Sequence, residues 1–173
     1  MFERFHEVIG QVPRTVESYE KALGRPVIGV MPAYFPLELI WAAGGYPVQL
    51  WGNHLPLQKA DAYMQSYCCS VARSALELEL RGGAEMVKAY AFTSLCDTLI
   101  NTREIYRRLF SKPTVELSIP ITQTEKARRQ YLTRVVDTVM DGLSEITGKS
   151  IVVEQLQAAS DLYGRSRKLQ RDL

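Results

Sequence analysis

The chain has 173 residues, 46% of them hydrophobic and 23% charged, a balance ordinary for one soluble globular domain. Its 21 basic and 19 acidic residues leave a net charge of +2, so no global field points to nucleic acid or a membrane surface. No apolar run approaches the roughly 18 to 20 residues that span a bilayer, and Met1 to Glu7 is too charged for a signal peptide, so the cytoplasm is the expected location.

In chain order, Val8, Val12, Val16, Tyr19 and Leu23 recur at helical steps, interrupted by Pro13, and Gly24 closes this lead-in (1–25) before Pro26. Val27 to Met31 suits a buried parallel strand. Pro36 opens a helix from Leu37 to Ala43, stopped by Gly44-Gly45. Val48 to Trp51 is a second strand, and a polar loop leads to a helix from about Tyr67 to Leu80, closed by Gly82-Gly83. Val87 to Thr93, a helix from Thr98 to Phe110, and the strand Val115 to Ile119 complete an α/β segment over 26–121. Beyond Thr122, Ala127, Leu132, Val135, Val136, Val139, Leu143 and Ile146 form one helical stripe. A second helix from about Val152 to Leu169 turns Leu156, Ala159, Leu162, Tyr163 and Leu169 inward. The fold class expected is α/β: a parallel sheet of about four strands with helices on both faces, flavodoxin-like in order, followed by a helical pair over 122–173.

Ligands of open parallel sheets collect outside the carboxyl ends of the strands. That rule places Ala33 to Glu38, Gln65 to Ser70 and Ser94 to Thr98 on one edge, and two of these loops carry all three cysteines, Cys68, Cys69 and Cys96. An odd number of thiols builds no disulfide framework, and two histidines, His6 and His54, are too few for a His-based metal site. Cys69 and Cys96 lie at predicted helix starts, where unpaired amides favour negative charge on sulfur, and cysteine thiolates hold iron–sulfur clusters. The competing reading is that these cysteines fill the sheet–helix interface. Glu38 complements the dipole of its helix or lines a site; Arg73 faces a phosphate or carboxylate, or solvent. Gly142 to Ser150 resembles a phosphate loop, but it has one residue too many between its glycines and follows a helix, so Gly148 reads as a helix terminator. The basic clusters at Arg128-Arg129 and Arg165 to Arg171 read as solvated faces.

Several ordered motifs resemble the amino-terminal region of 2-hydroxyacyl-CoA dehydratase and benzoyl-CoA reductase subunits. They are Tyr34-Phe35-Pro36-Leu37-Glu38-Leu39-Ile40 with Ala42-Ala43-Gly44, Pro47-Val48, Ala60-Asp61, Gln65 to Ser70, Arg73-Ser74, Leu76-Glu77, Cys96-Asp97-Thr98, Ile146 to Lys149, and Leu162-Tyr163 with Arg167. The resemblance implies one [4Fe–4S] cluster per subunit, held by three cysteines. One lies in a Tyr-x-Cys-Ser-x-x-Arg motif, here Cys69, and one in a Cys-Asp motif, here Cys96; Cys68 is the lesser alternative. The remaining cysteine belongs to a second α/β domain outside these residues, so the isolated chain is expected to be inactive, and the end at Arg171-Asp172-Leu173 reads as a fragment boundary.

Also implied are an acyl-CoA substrate, a paralogous partner subunit, and an ATP-hydrolysing iron–sulfur activator. The activator delivers an electron that turns the CoA thioester into a ketyl radical anion, which expels a 2-hydroxyl group; in the benzoyl branch the ring is reduced. Tyr34 to Glu38 would wall the thioester. The alternative is a cluster-free interaction module of the same fold.

Overall fold

A computed structural model of the chain describes residues 12–32, 34–120 and 124–172. The expectations at Val8, Ala33 and Thr122 fall outside the described residues.

Helix α1 (Val12–Leu23) runs through Pro13, because a proline in the first turn lacks only an N–H that would be unpaired anyway. Gly24 ends it in a left-handed conformation, its N–H donating to the Glu20 carbonyl at 2.9 Å. Strand β1 (Val27–Val30) is buried along its whole length. It is followed by α2 (Leu37–Ala42), β2 (Tyr46–Gln49), a 3-10 turn (Ala60–Ala62), α3 (Ser70–Leu80), β3 (Val87–Thr93), α4 (Asp97–Leu109), β4 (Thr114–Leu117), α5 (Glu125–Thr147) and α6 (Val153–Arg171). The four strands form one sheet in the order β2-β1-β3-β4, every neighbouring pair parallel. This is the expected α/β class, and the order is the flavodoxin-like one.

Strand β2 begins two residues before its expected start. Its ladder runs from Tyr46 N–H, donating to the Pro26 carbonyl at 2.8 Å, to Leu50 N–H, donating to the Val30 carbonyl at 2.9 Å. By the alternation of a parallel ladder, Pro47 then faces the open edge of the sheet, where its missing donor costs nothing. The strand expected from Val48 leaves Pro47 out; the pairing makes it an edge residue.

Right-handed crossovers dictate which face each helix covers. The chain moves one way from β1 to β2 and the other way from β2 to β3 and from β3 to β4. Helix α2 therefore lies on one face, and α3 and α4 share the opposite one. The core divides accordingly. Val27, Val87, Tyr90 and Phe92 pack with Ala72, Ala75 and Leu76 of α3 and Leu99 and Tyr106 of α4. Ile28, Val30, Ala91, Val115 and Leu117 pack with Leu39 and Ile40 of α2 and Val139 and Leu143 of α5. Gly29 in β1 is required by this packing: a β-carbon there would sit 2.8 Å from Leu50 Cδ1 and 3.0 Å from Val87 Cγ1.

The last two helices are less embedded than the stripes of apolar residues suggest. Ala127 and Leu132 are exposed, and α5 contacts the core only from Val135 onward. In α6, Leu169 is 68% exposed, which corrects its expected inward position. Tyr163 is held edge-on against Trp41, with ring centroids 6.4 Å apart, and the Arg25 guanidinium stacks over Trp41 at 4.0 Å from its ring centroid.

Tyr106 is fully buried and meets Tyr90, Phe92 and Phe110 at centroid distances of 4.9, 5.4 and 5.1 Å, all near edge-to-face. Its hydroxyl has no hydrogen-bond partner among the described residues. Tyr106→Ala is therefore expected to lower unfolding stability by about 3–5 kcal/mol in urea titration, whereas Tyr106→Phe, which deletes only the unpaired hydroxyl, leaves it unchanged or higher.

Candidate functional site

All four strands point their carboxyl ends to one edge. In the order β2-β1-β3-β4 the connections reverse direction at β1, which makes the ends of β1 and β3 the switch point where ligands of such sheets bind. Tyr34 stands in the loop after β1. It is 81% exposed and holds a left-handed φ of 50°, the one non-glycine residue with positive φ among those described. Phe35, next to it, is buried and anchors the loop to the α2 side of the core.

Crossover helices run antiparallel to their strands, so their amino-termini meet the same edge. Cys96 is the N-cap of α4 in extended conformation, with its carbonyl accepting from Ile100 N–H at 3.1 Å. The loop ahead of it is pinned to β4, since Ser94 N–H donates to the Leu117 carbonyl at 3.1 Å and Ser94 Oγ accepts from Ile119 N–H at 2.9 Å. Cys69 is the N-cap of α3, its Sγ accepting from Ala72 N–H at 3.5 Å. Helices α3 and α4 pack against each other on one face. Cys69 and Cys96 thus cap neighbouring helices at one edge, and both are free and exposed.

Cys68 is turned elsewhere. It is half-buried, with Sγ 3.9 Å from Gln65 Oε1, and lines a cleft of about 390 Å³ against Asn101, Glu104 and Arg108 of α4. The turn at Gln65 to Cys68, closed by Cys68 N–H to the Gln65 carbonyl at 3.0 Å, is also why α3 starts at Ser70 and not at Tyr67.

Two other candidates are engaged within the chain. Glu38, in the first turn of α2, accepts from the Arg167 guanidinium of α6, and burial together with the Glu38 charge pushes the neighbouring Tyr163 hydroxyl up to about 12. Arg73 donates through Nη2 to Asp61 Oδ1 at 2.5 Å and through Nη1 to the Ser66 carbonyl at 3.2 Å. Among the described residues no group of three or more His, Cys, Asp or Glu side chains could hold a metal ion.

The sequence reading missed what delivers Cys69 to this edge. A long loop joins β2 to α3, and a polar row on α3 binds it throughout. Ser74 Oγ accepts from Asn53 N–H at 2.8 Å and donates to the Asn53 carbonyl at 2.7 Å. Gly52 lies so close that a β-carbon would sit 2.3 Å from Ser74 Oγ, and its φ is +87°. Glu77, fully buried, accepts from Gln58 N–H at 3.0 Å, Ala60 N–H at 2.8 Å and Arg81 Nε at 2.5 Å. Arg81 also donates to the Pro56 carbonyl at 3.2 Å. The signal was present: Arg73, Glu77 and Arg81 recur every four residues on a helix whose other face is apolar.

The chain matches the family model described as 2-hydroxyglutaryl-CoA dehydratase, D-component, over residues 32–173. It belongs to this family. Within the dehydratase family and its reductase branch, it is 27% identical over 172 residues to the (R)-phenyllactyl-CoA dehydratase beta subunit of Clostridium sporogenes, covering 99% of this chain and 46% of that protein. It is 32% identical over 152 residues to a benzoyl-CoA reductase subunit of Thauera aromatica, covering 86% of this chain and 39% of that one. Its identity to the (R)-2-hydroxyglutaryl-CoA dehydratase beta subunit of Acidaminococcus fermentans is 29%, over 99% of this chain and 46% of the relative. The chain spans under half the length of these curated relatives.

Burial alone would raise the Glu77 pKa, but the two backbone amides and Arg81 outweigh it and hold the carboxyl at about 2, below its ordinary 4.5. A depressed pKa contributes stability that is complete above the unfolded value and is lost as pH falls through the folded one. The expected contribution is about 3 kcal/mol, lost between about pH 5 and pH 2. Urea unfolding across that window checks it: Glu77→Gln should flatten the pH dependence of stability, and an unchanged slope would contradict the assignment.

Proposed function

We propose that this chain contributes Cys69 and Cys96 as thiolate ligands of a [4Fe–4S] cluster in an enzyme of the 2-hydroxyacyl-CoA dehydratase and benzoyl-CoA reductase type. The observation that carries this reading is the position of the two thiols: both exposed, both at helix N-caps, on neighbouring helices at the carboxyl edge of a parallel sheet. The chemistry of the donors fits, since cysteine thiolates are the usual ligands of such clusters and neither sulfur is in a disulfide. Two thiolates are a partial set, and the rest would come from elsewhere in the assembled enzyme.

When bound, such a cluster supplies electrons singly to a CoA thioester. The residues of this chain do the positioning. The amino-termini of α3 and α4 offset the negative charge gathered on the sulfurs. Asp97, in the first turn of α4, adds a carboxylate on the Cys96 side. Tyr34, in its strained left-handed conformation at the end of β1, stands as a wall for the acyl-CoA thioester; strain of this kind concentrates at functional sites. Glu38 and Arg73 hold α6 and the cysteine loop through Arg167 and Asp61. The relatives are named as subunits of acyl-CoA dehydratases and of an acyl-CoA reductase, which supports a partner subunit and an acyl-CoA substrate. The ATP-dependent activator belongs to the same reading.

The test is anaerobic reconstitution of the full-length protein with its partner subunit, followed by iron counting and electron paramagnetic resonance. Cys69→Ala and Cys96→Ala should each lose the cluster, while Cys68→Ala retains it. A full iron load in both of the first two variants would overturn the ligand assignment. A wild-type assembly that takes up no iron would be the cluster-free module of the same fold.

A further inference from the structure

We infer that Arg73, with Asp61, is a positioning residue that fixes the Cys69 sulfur; this rests on reading Cys69 as a cluster ligand. Cys69 ends a loop that runs from Leu50 and contains no regular element beyond the 3-10 turn Ala60–Ala62. A ligand at the end of such a loop needs an anchor, because an unpaired loop leaves its tip free to move. Arg73 lies one helical turn after Cys69, and its backbone N–H donates to the Cys69 carbonyl at 3.2 Å, so both residues move with α3.

Its guanidinium reaches back across the cysteine turn. Nη2 pairs with Asp61 at 2.5 Å and Nη1 donates to the Ser66 carbonyl at 3.2 Å, on a side chain only 15% exposed. Asp61 belongs to the 3-10 turn whose Ala60 is fully buried and bonded to Glu77. The contacts close a ring: from Arg73 to Asp61 and Ser66, along the chain through Cys68 to Cys69, and back to Arg73 through the first turn of α3. Of the three sulfurs, Cys69 Sγ alone has a backbone donor among the described residues, Ala72 N–H. The planar fork of arginine meets Asp61 and the Ser66 carbonyl together; a lysine offers one compact charge and cannot span both.

The test uses the full-length protein, free of cluster, under reducing and anaerobic conditions. Alkylation by iodoacetamide is followed at each cysteine by peptide mass spectrometry, with Cys96 in the same molecule as the internal reference. Arg73→Lys and Asp61→Asn should each speed labelling of Cys69 relative to Cys96 by about fivefold, the upper scale for losing a partly exposed ion pair. Asp61→Glu should restore the ratio. Far-UV circular dichroism and melting temperature report whether each variant keeps its fold, and Asp61→Asn serves where an Arg73 variant does not. An unchanged Cys69-to-Cys96 ratio in the folded variants would overturn the positioning role. After reconstitution with the partner subunit, the reduced cluster should show a shifted resonance line shape in Asp61→Asn with its iron content kept, and an identical spectrum would count against the proposal. Failure of the cluster reading appears separately, as full iron in Cys69→Ala whatever the labelling ratios.

Discussion

Glu77 sits at the centre of α3 with no access to solvent, and a carboxylate in that position is stable only if its oxygens are fully engaged. Two loop amides and the Arg81 guanidinium meet that need, and in doing so they fold the β2–α3 loop onto its own helix. The buried charge therefore acts as an organiser. Remove it, and the amides of Gln58 and Ala60 lose their partner next to the turn that carries Asp61. The route of the chain into the Cys68-Cys69 turn follows from this one group.

A second constraint brings the other thiol to the same place. Parallel pairing sends every strand's carboxyl end to one edge, and right-handed crossovers put α3 and α4 on one face because both connections run in the same direction across the sheet. Cysteines far apart in sequence become N-caps of adjacent helices without any local motif joining them. On the opposite face, α2, α5 and α6 form an independent layer, closed by the Trp41–Tyr163 contact and the Glu38–Arg167 pair. The edge is thus built from two layers that converge on the loops after β1 and β3.

The central strand was the most legible element: Val87 to Thr93 is apolar apart from Lys88 and Thr93, and its ends fall where the sequence put them. Helix ends marked by glycine were equally plain, as at Gly24 and Gly148, both left-handed. What sequence could not convey was pairing. Pro47 became acceptable only once β2 was an edge strand, and Leu169 fell on the inward stripe because helical periodicity records a face without saying whether anything covers it. At the site, the positions of Cys69 and Cys96 at helix starts could be read from local signals. The engagements of Glu38 and Arg73 could not, since Arg167 and Asp61 reach them only through the fold. Within the chain, the Arg73 guanidinium pairs with Asp61 and the Ser66 carbonyl.

Whether the two sulfurs share one pocket can be measured on the cluster-free chain with a short bifunctional thiol reagent, in a Cys68→Ser background, reading the products by mass spectrometry. The account predicts an intramolecular bridge between Cys69 and Cys96 that is lost on unfolding. Separate single modification of each cysteine, with no bridged product in the folded protein, would contradict it.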